Sequence, residues 1–152
     1  MNRVEVAVEG VPEPDWTARL VSFAEKALGR LGRDAWDLSF LLCDDATMRD
    51  LNARYREKDE STDVLSFQLG EKVADDELGE RWAAGDIAIS LDMLAVNAAY
   101  FGVSRDEELR RLVVHGILHL DGMDHEDNDP GRPMLRLQEE LLKSLNEERI
   151  LS

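Results

Sequence analysis

The alternation of apolar and polar residues predicts four strands. Val4, Val6 and Val8 alternate with charged or small residues near the start of the chain. The segment 36–43 is almost continuously apolar and is followed by two aspartates, a pattern typical of a buried strand. Together with two shorter apolar runs, these patterns predict strands at residues 3–8, 36–43, 63–69 and 86–90.

Apolar residues at helical spacing, with polar capping residues before them, predict five helices. The expected caps are Asp15, either Asp44 or Asp45, Ser90 and Ser104. Gly122 is expected to end the fourth helix, because glycine accepts the left-handed backbone conformation of a helix terminus. The predicted helices span residues 15–30, about 45–56, 90–101, 104–121 and 133–148.

The connections between these elements predict the fold class. Parallel strands need a long crossover, commonly a helix, whereas a direct loop allows antiparallel pairing. Residues 70–84 are acidic and contain two glycines, so we expect a surface loop between the third and fourth strands. The prediction is a single domain over residues 1–152 of the α/β (α+β) class. Its mixed four-stranded sheet is mostly parallel, with one antiparallel strand, and is packed with about five helices.

Composition indicates a small intracellular protein. The 152 residues are 43% hydrophobic, which is enough for one packed core. The single Cys43 allows no internal disulfide, so nothing points to an oxidising compartment. The first residues show no export signal, and no apolar run reaches membrane-spanning length. We therefore expect a cytoplasmic protein without a membrane association.

All three histidines lie within residues 115–125. His115 and His119 are four residues apart, so on a helix they share one face, with Cβ atoms about 5–6 Å apart. A chain reversal at Gly122 can then bring His125 to the same ion. Three imidazoles, with a fourth position left for water, are the ligands of catalytic zinc, although they also accept nickel, copper or iron. The spacing predicts one zinc ion per chain, held by His115, His119 and His125.

One position separates two classes of zinc hydrolase. The histidine frame is that of a protease clan, but those enzymes carry a glutamate directly after the first histidine as general base. Here that position is Gly116, which cannot take a proton. Peptide hydrolysis is therefore disfavoured, and Met134 is expected to be a core residue of the last helix.

Two segments resemble the YbeY family of bacterial endoribonucleases. The first is His-Gly-Ile-Leu-His-Leu-Asp-Gly-Met-Asp-His at residues 115–125, with Met123 where the family has tyrosine. The second, residues 52–67, contains Tyr-Arg-Glu-Lys-Asp followed by Thr-Asp-Val-Leu-Ser-Phe, and Gln68 follows where proline is common. The two segments occur in the family's order, and the resemblance covers the chain from Met1 to Ser152.

The resemblance implies a zinc-dependent, single-strand-specific endoribonuclease. It assigns catalytic roles to His115 and Arg56. The implied biological role is 16S rRNA 3′-end maturation and ribosome quality control, with precursor ribosomal RNA, the small ribosomal subunit and assembly factors as partners. DNA is not an expected substrate. The general base is left open by the resemblance.

The net charge of −15 at pH 7 argues against strong RNA binding, because phosphate affinity rests on Lys and Arg. A local basic groove remains open to a few residues, although the ordinary interpretation of most of them is a solvated face. These are Arg49, Arg54, Arg56, Lys58, Arg105, Arg110 and Arg111.

Acidic residues surround the histidines and suit two roles. A carboxylate can accept the second N–H of a metal-bound imidazole, and Asp124 is the candidate for this role or for that of a base. The other four are interpreted mainly as a solvated turn, namely Asp121, Glu126, Asp127 and Asp129. Asp63 is either a site residue or a turn cap. Ser66 has no base outside the histidine cluster, which disfavours a serine hydrolase.

Two alternative functions remain open at this point. The first is a ribosome-associated assembly factor with a structural zinc, which would normally have four protein ligands. The second, less favoured because of Gly116, is a metalloprotease.

Overall fold

Residues 1–151 are described by a computed structural model, and Ser152, the last residue of the expected domain, lies outside the described residues. The chain forms four strands and five helices. In order they are β1 (Arg3–Glu9), α1 (Thr17–Arg30), β2 (Trp36–Cys43), α2 (Asp45–Arg56), β3 (Val64–Asp75), β4 (Gly79–Ser90), α3 (Leu91–Phe101), α4 (Arg105–Leu120) and α5 (Pro133–Ser144).

The strands form one mixed sheet in the order β1-β2-β4-β3. β1 pairs with β2 and β2 with β4 in parallel, and each connection runs through a helix. β3 pairs with β4 in antiparallel and forms one edge of the sheet. The predicted fold class, with one antiparallel strand and five helices, is therefore confirmed.

The two faces of the sheet are covered unequally. Leu38, Phe40 and Ile87 point into the main core, where they pack with side chains of α1, α4 and α5. The other face carries a smaller apolar cluster under α2, formed by Cys43, Met48, Leu65 and Ala88. Because α2 is the main cover on that side, part of the second face remains accessible.

Residues 70–84 form a long hairpin, so the prediction of a surface loop is wrong. β3 extends to Asp75, the turn follows, and β4 begins at Gly79. Asp75 Oδ1 accepts the backbone N–H groups of Glu77 and Leu78, which closes the turn. Most side chains in the outer half of β3 are exposed. Without a buried face, its sequence shows no alternation of apolar and polar residues.

The helix ends agree in part with the predicted caps. The side chains of Asp44, Ser90 and Ser104 each accept a backbone N–H in the first turn of a helix, as expected. The predicted cap at Asp15 is wrong, because α1 begins at Thr17 without a side-chain cap. The last helix ends at Ser144 rather than at residue 148. Among residues 1–151, none of the helices has the length and apolar character needed to cross a bilayer.

Candidate metal centre

Helix α4 brings two of the three histidines together on the face that it turns toward β3 and α5. His115 and His119 are one turn apart, and their Nε2 atoms are separated by 3.1 Å. The helix ends at Leu120, and Gly122 then adopts a φ of +90°, so the chain reverses there as predicted. This reversal returns the chain toward the two imidazoles.

His125 completes the cluster. Its ring centroid lies 5.2 Å from that of His115 and 5.5 Å from that of His119. One nitrogen from each of the three rings lies within 4.8 Å of the others, a spacing at which all three can reach one metal ion. Within the described residues these histidines are the set that the fold gathers at metal-binding distance.

Each imidazole is oriented by an oxygen acceptor at its Nδ1 atom. His115 Nδ1 lies 2.7 Å from Gln138 Oε1, and His119 Nδ1 lies 3.1 Å from the carbonyl oxygen of Met123. His125 Nδ1 lies 2.9 Å from the carbonyl oxygen of Asp127. Because these oxygens only accept hydrogen bonds, each Nδ1 carries the proton and donates it. The Nε2 atoms of His115 and His119 therefore carry lone pairs and face each other, and His125 brings a third ring nitrogen within 4.8 Å.

Burial supports the same protonation state at the two helical histidines. It lowers the pKa of His115, although the hydrogen bond to Gln138 opposes this effect. Burial also lowers the pKa of His119, and the neighbouring His115 acts in the same direction. Both rings are thus held neutral near pH 7, which is the form that binds a metal ion.

Gln138 is the residue that sequence reasoning missed. It lies on α5 with only 6% of its surface exposed. Its Nε2 donates to a carboxylate oxygen of Glu139, which leaves Oε1 facing His115. The carboxylate of Glu139 is held in turn by Arg111. A polar residue on the apolar face of an amphipathic helix was the available signal, because Met134, Leu141 and Leu142 share that face.

His115 and His119 line one wall of a cleft of about 780 Å³. The opposite wall is formed by edge strand β3 and the end of α2. Gln68 lies in the cleft, and its Nε2 donates to the carbonyl oxygen of Leu120 at 3.3 Å, next to the C-terminus of α4. Gln68 thus joins β3 to α4, the helix that carries His115 and His119.

Arg56 lies across this cleft from the histidines. Its Nη2 donates to the main-chain oxygen of Ser66 at 2.6 Å, and its guanidinium carbon lies 5.5 Å from the centre of the Phe67 ring. No carboxylate forms an ion pair with Arg56 among residues 1–151, whereas Arg49 and Arg54 pair with Asp59 and Asp50. The charge of Arg56 is therefore available to an anion in the cleft.

Two of the three arginines of α4 are engaged in ion pairs. Arg110 pairs with Asp106 in the protein interior, and Arg111 pairs with Glu107 and Glu139. The structure thus supports the ordinary interpretation of these two side chains and leaves Arg56 as the cation directed into the cleft.

The acidic residues near the histidines have structural partners. Asp124 is largely exposed, and its carboxylate accepts the backbone N–H of His125 while lying 4.0 Å from His119 Nδ1. Asp127 binds Arg132, and Asp121 pairs with Arg33. Asp63 accepts a hydrogen bond from Asn97. An amide and two main-chain carbonyls, rather than these carboxylates, therefore orient the imidazoles.

Gly116 packs directly against the sheet. A Cβ atom built on it would lie 2.8 Å from both Cδ1 and Cγ2 of Ile87, a fully buried residue of β4. A glutamate at this position would therefore point into the core and away from the cleft. The position that carries the general base of the zinc proteases is sterically closed in this fold.

The chain is similar to known proteins over most of its length. The family model described as Endoribonuclease YbeY matches residues 8–146. The Endoribonuclease YbeY of Treponema denticola is 52% identical over 82% of this chain and 80% of its own length. That of Persephonella marina is 37% identical over 95% of this chain and 94% of its own length.

A solved structure extends the likeness to the fold. The solution structure of a Thermotoga maritima protein superposes with a TM-score of 0.56 and 27% identity, over 97% of this chain and 91% of that one. The match of the family model covers both the histidine cluster and Arg56. The chain therefore belongs to the Endoribonuclease YbeY family.

Proposed function

We propose that residues 1–152 form a single metal-dependent endoribonuclease domain that hydrolyses phosphodiester bonds of single-stranded RNA. One zinc ion would be held by His115, His119 and His125. The name shared by the relatives supports an RNA substrate. We further propose that the protein acts in the cytoplasm on precursor ribosomal RNA, in 16S rRNA 3′-end maturation and ribosome quality control, together with the small ribosomal subunit and assembly factors.

The arrangement of the three imidazoles carries this proposal. Every Nδ1 atom is engaged by an oxygen, and one nitrogen of each ring lies within 4.8 Å of the others beside an open cleft. Three imidazoles suit zinc and leave a coordination position for water or a phosphate oxygen. When bound, the metal would supply Lewis acidity and would lower the pKa of its water to about 7.

Of the two residues to which we assign catalytic roles, Arg56 would contact the phosphodiester and His115 would act through the metal that it binds. The unpaired guanidinium of Arg56 would hold a non-bridging phosphate oxygen and offset the charge that develops in the transition state. The Nδ1 proton of His115 is held by Gln138, a buried residue of α5. We assign catalytic roles to His115 and Arg56, with His115 serving also as a ligand.

The excess of acidic residues sets how the RNA would be recognised. A formal net charge of −15 provides no long-range attraction for a polyanion. Affinity for isolated RNA would then be modest and would depend on the few contacts inside the cleft. Presentation of the substrate on a ribosomal subunit compensates for this weakness, because binding to the particle raises the local concentration of the RNA end.

The two alternatives have less support. Structural zinc sites are usually closed by four protein ligands, whereas three histidines were found at metal-binding distance in the described part of the chain, and two of them line the cleft. A metalloprotease would need a general base after the first histidine, and position 116 is closed by Ile87.

The first experiment compares zinc-loaded wild-type protein with His119→Ala protein purified in the same way, using an end-labelled single-stranded RNA. We expect cuts with the wild type that disappear in the variant and after chelation. Equal cutting by both proteins would reveal a contaminating nuclease. No cutting by either protein, with zinc bound to the wild type, would contradict the proposed hydrolysis and favour the assembly-factor role.

A further inference from the structure

The cleft of the metal centre shares a wall with a second groove on the other face of the sheet. Tyr55 at the end of α2 and Phe67 on β3 line both cavities. Their rings meet edge to face, with centroids 5.4 Å apart and planes inclined by 71°. Tyr55 is 59% exposed, although it belongs to an aromatic pair next to the cleft. A large exposed ring at this place is available to a ligand.

The floor of the second groove is a row of neighbouring residues on three strands. Ser39 on β2 pairs with Asp86 on β4, and Asp86 pairs with Phe67 on β3. Side chains of paired residues project from the same face of a sheet. Leu51 and Tyr55 of α2 form the side of the groove, whose volume is about 430 Å³. The groove is thus largely apolar, with an aromatic wall and one carboxylate.

The charges around the groove indicate which part of a nucleotide, the phosphate or the base, it can bind. The guanidinium of Arg56 lies against Phe67 on the side of the metal cleft, and that of Arg54 lies 5.8 Å from the centre of the Tyr55 ring. A phosphate is attracted to Arg56, whereas the charge of Arg54 is offset by its ion pair with Asp50. Inside the groove, the carboxylate of Asp86 repels a phosphate but accepts a hydrogen bond from the amino group of a base. The groove therefore suits a nucleobase.

We propose that this groove binds the unpaired base of a nucleotide next to the phosphate held at the metal centre, with the base stacked on Tyr55. The inference rests on the proposed function, and it explains how a chain with a net charge of −15 would hold single-stranded RNA. Stacking on an aromatic side chain requires a base that is free of a duplex. Selectivity for single strands then arises from Tyr55 and Phe67.

The test uses two variants of Tyr55 and one matched control. Tyr55→Leu keeps an apolar side chain but removes the ring, whereas Tyr55→Phe keeps the ring. Tyr100→Leu removes another exposed ring, on α3 and outside the groove, which also contacts a phenylalanine edge to face. Binding of a short labelled oligoadenylate is measured by fluorescence anisotropy in EDTA, so that the strand stays intact. An all-abasic ribose-phosphate strand of the same length is the second probe.

We expect Tyr55→Leu to weaken binding of oligoadenylate by roughly 5- to 150-fold, the effect of losing one stacked base. Tyr55→Phe and Tyr100→Leu should bind it like the wild type, and all four proteins should bind the abasic strand equally. The proposal is overturned if the wild type does not prefer oligoadenylate to the abasic strand. It is also overturned if Tyr55→Leu binds oligoadenylate normally, as a groove for a protein partner would allow, or loses affinity for both strands equally.

Cleavage with zinc restored separates this inference from the proposed function. If binding depends on the base and on Tyr55 but the wild type does not cleave RNA, the proposed hydrolysis is wrong and the proposed base-binding groove is supported. If the wild type cleaves RNA but Tyr55→Leu binds oligoadenylate as Tyr55→Phe does, the proposed base-binding groove is wrong and the proposed hydrolysis is supported.

Discussion

Gln138 Oε1 on α5 accepts a hydrogen bond from Nδ1 of His115 on α4, with 2.7 Å between the two atoms. The bond joins two helices across 23 positions of sequence and is shielded from solvent by the burial of Gln138. It selects the tautomer of His115 and fixes the direction of its Nε2 lone pair. A neutral amide thus occupies the place that carboxylates commonly take behind a metal-bound histidine.

Replacing Gln138 should weaken metal binding. Gln138→Leu keeps the size of the side chain but removes the acceptor, and loss of such an orienting contact typically lowers metal affinity by about 10- to 100-fold. Gln138→Glu keeps an acceptor for His115 but loses the hydrogen bond to Glu139, so it should bind zinc more tightly than Gln138→Leu. Calorimetric titration with zinc measures both variants, with circular dichroism as a check of folding. Wild-type affinity in Gln138→Leu would contradict the positioning role.

Arg56→Ala should reduce cleavage while leaving the metal in place. Loss of one group that stabilises transition-state charge typically costs about 10²- to 10³-fold in kcat. Arg49→Ala is the matched control, because Arg49 lies on the same helix and pairs with Asp59. Single-turnover cleavage of labelled RNA and zinc titration provide the two measurements. Full activity of Arg56→Ala with zinc bound would show that Arg56 has no catalytic role.

Gly116→Ala should destabilise the fold through overpacking. The added methyl group would lie 2.8 Å from Ile87, which is fully buried, so we expect a loss of about 1–3 kcal/mol in the free energy of unfolding. Gly29→Ala is the control, because a methyl group added there would meet nothing within 4 Å and the helix should gain about 0.5–1 kcal/mol. Urea unfolding measures both. An unchanged free energy of unfolding in Gly116→Ala would mean that β4 and α4 can move apart with little loss of stability.

Asp37 should contribute to stability because it neutralises a buried arginine. Arg81 is 3% exposed and donates its Nε to Asp37, which also binds Arg3. Removing one partner of a fully buried pair costs about 3–5 kcal/mol, and because Asp37 is 25% exposed we expect Asp37→Ala to lose less than this. Asp34→Ala, which removes only the exposed pair with the N-terminal ammonium, should change the free energy of unfolding little. Urea unfolding of the two variants at pH 7 measures the difference.

The stabilisation by Asp37 should also depend on pH. The hydrogen bond from Arg3 holds the pKa of Asp37 below its usual range. A lowered carboxyl pKa gives stability that is present above about pH 4 and is lost as the pH falls through the pKa of the folded state. The difference between the wild type and Asp37→Ala should therefore shrink in acid. A constant difference between pH 7 and the acid limit of folding would contradict this assignment.

Local sequence patterns determined much of the secondary structure of this protein. The periodicities of strands and helices, the caps at Asp44, Ser90 and Ser104, and the reversal at Gly122 depend on residues close in sequence. The histidine cluster was predictable for the same reason, because two of its members are one helical turn apart and the third follows the helix end. The alternation of helices and strands was sufficient to predict the mixed sheet.

The tertiary structure decided the features that depend on distant residues. The outer half of β3 had no local signature, because most of its side chains are exposed and no buried face imposes alternation. Gln138 became part of the site only when α5 packed on α4, and Tyr55 met Phe67 only when α2 packed on the sheet. Periodicity reports which face of an element is buried, but it does not report the partner that buries it. The candidate metal ligands were therefore predictable from the sequence, whereas the groups that orient them and the groove beside them were not.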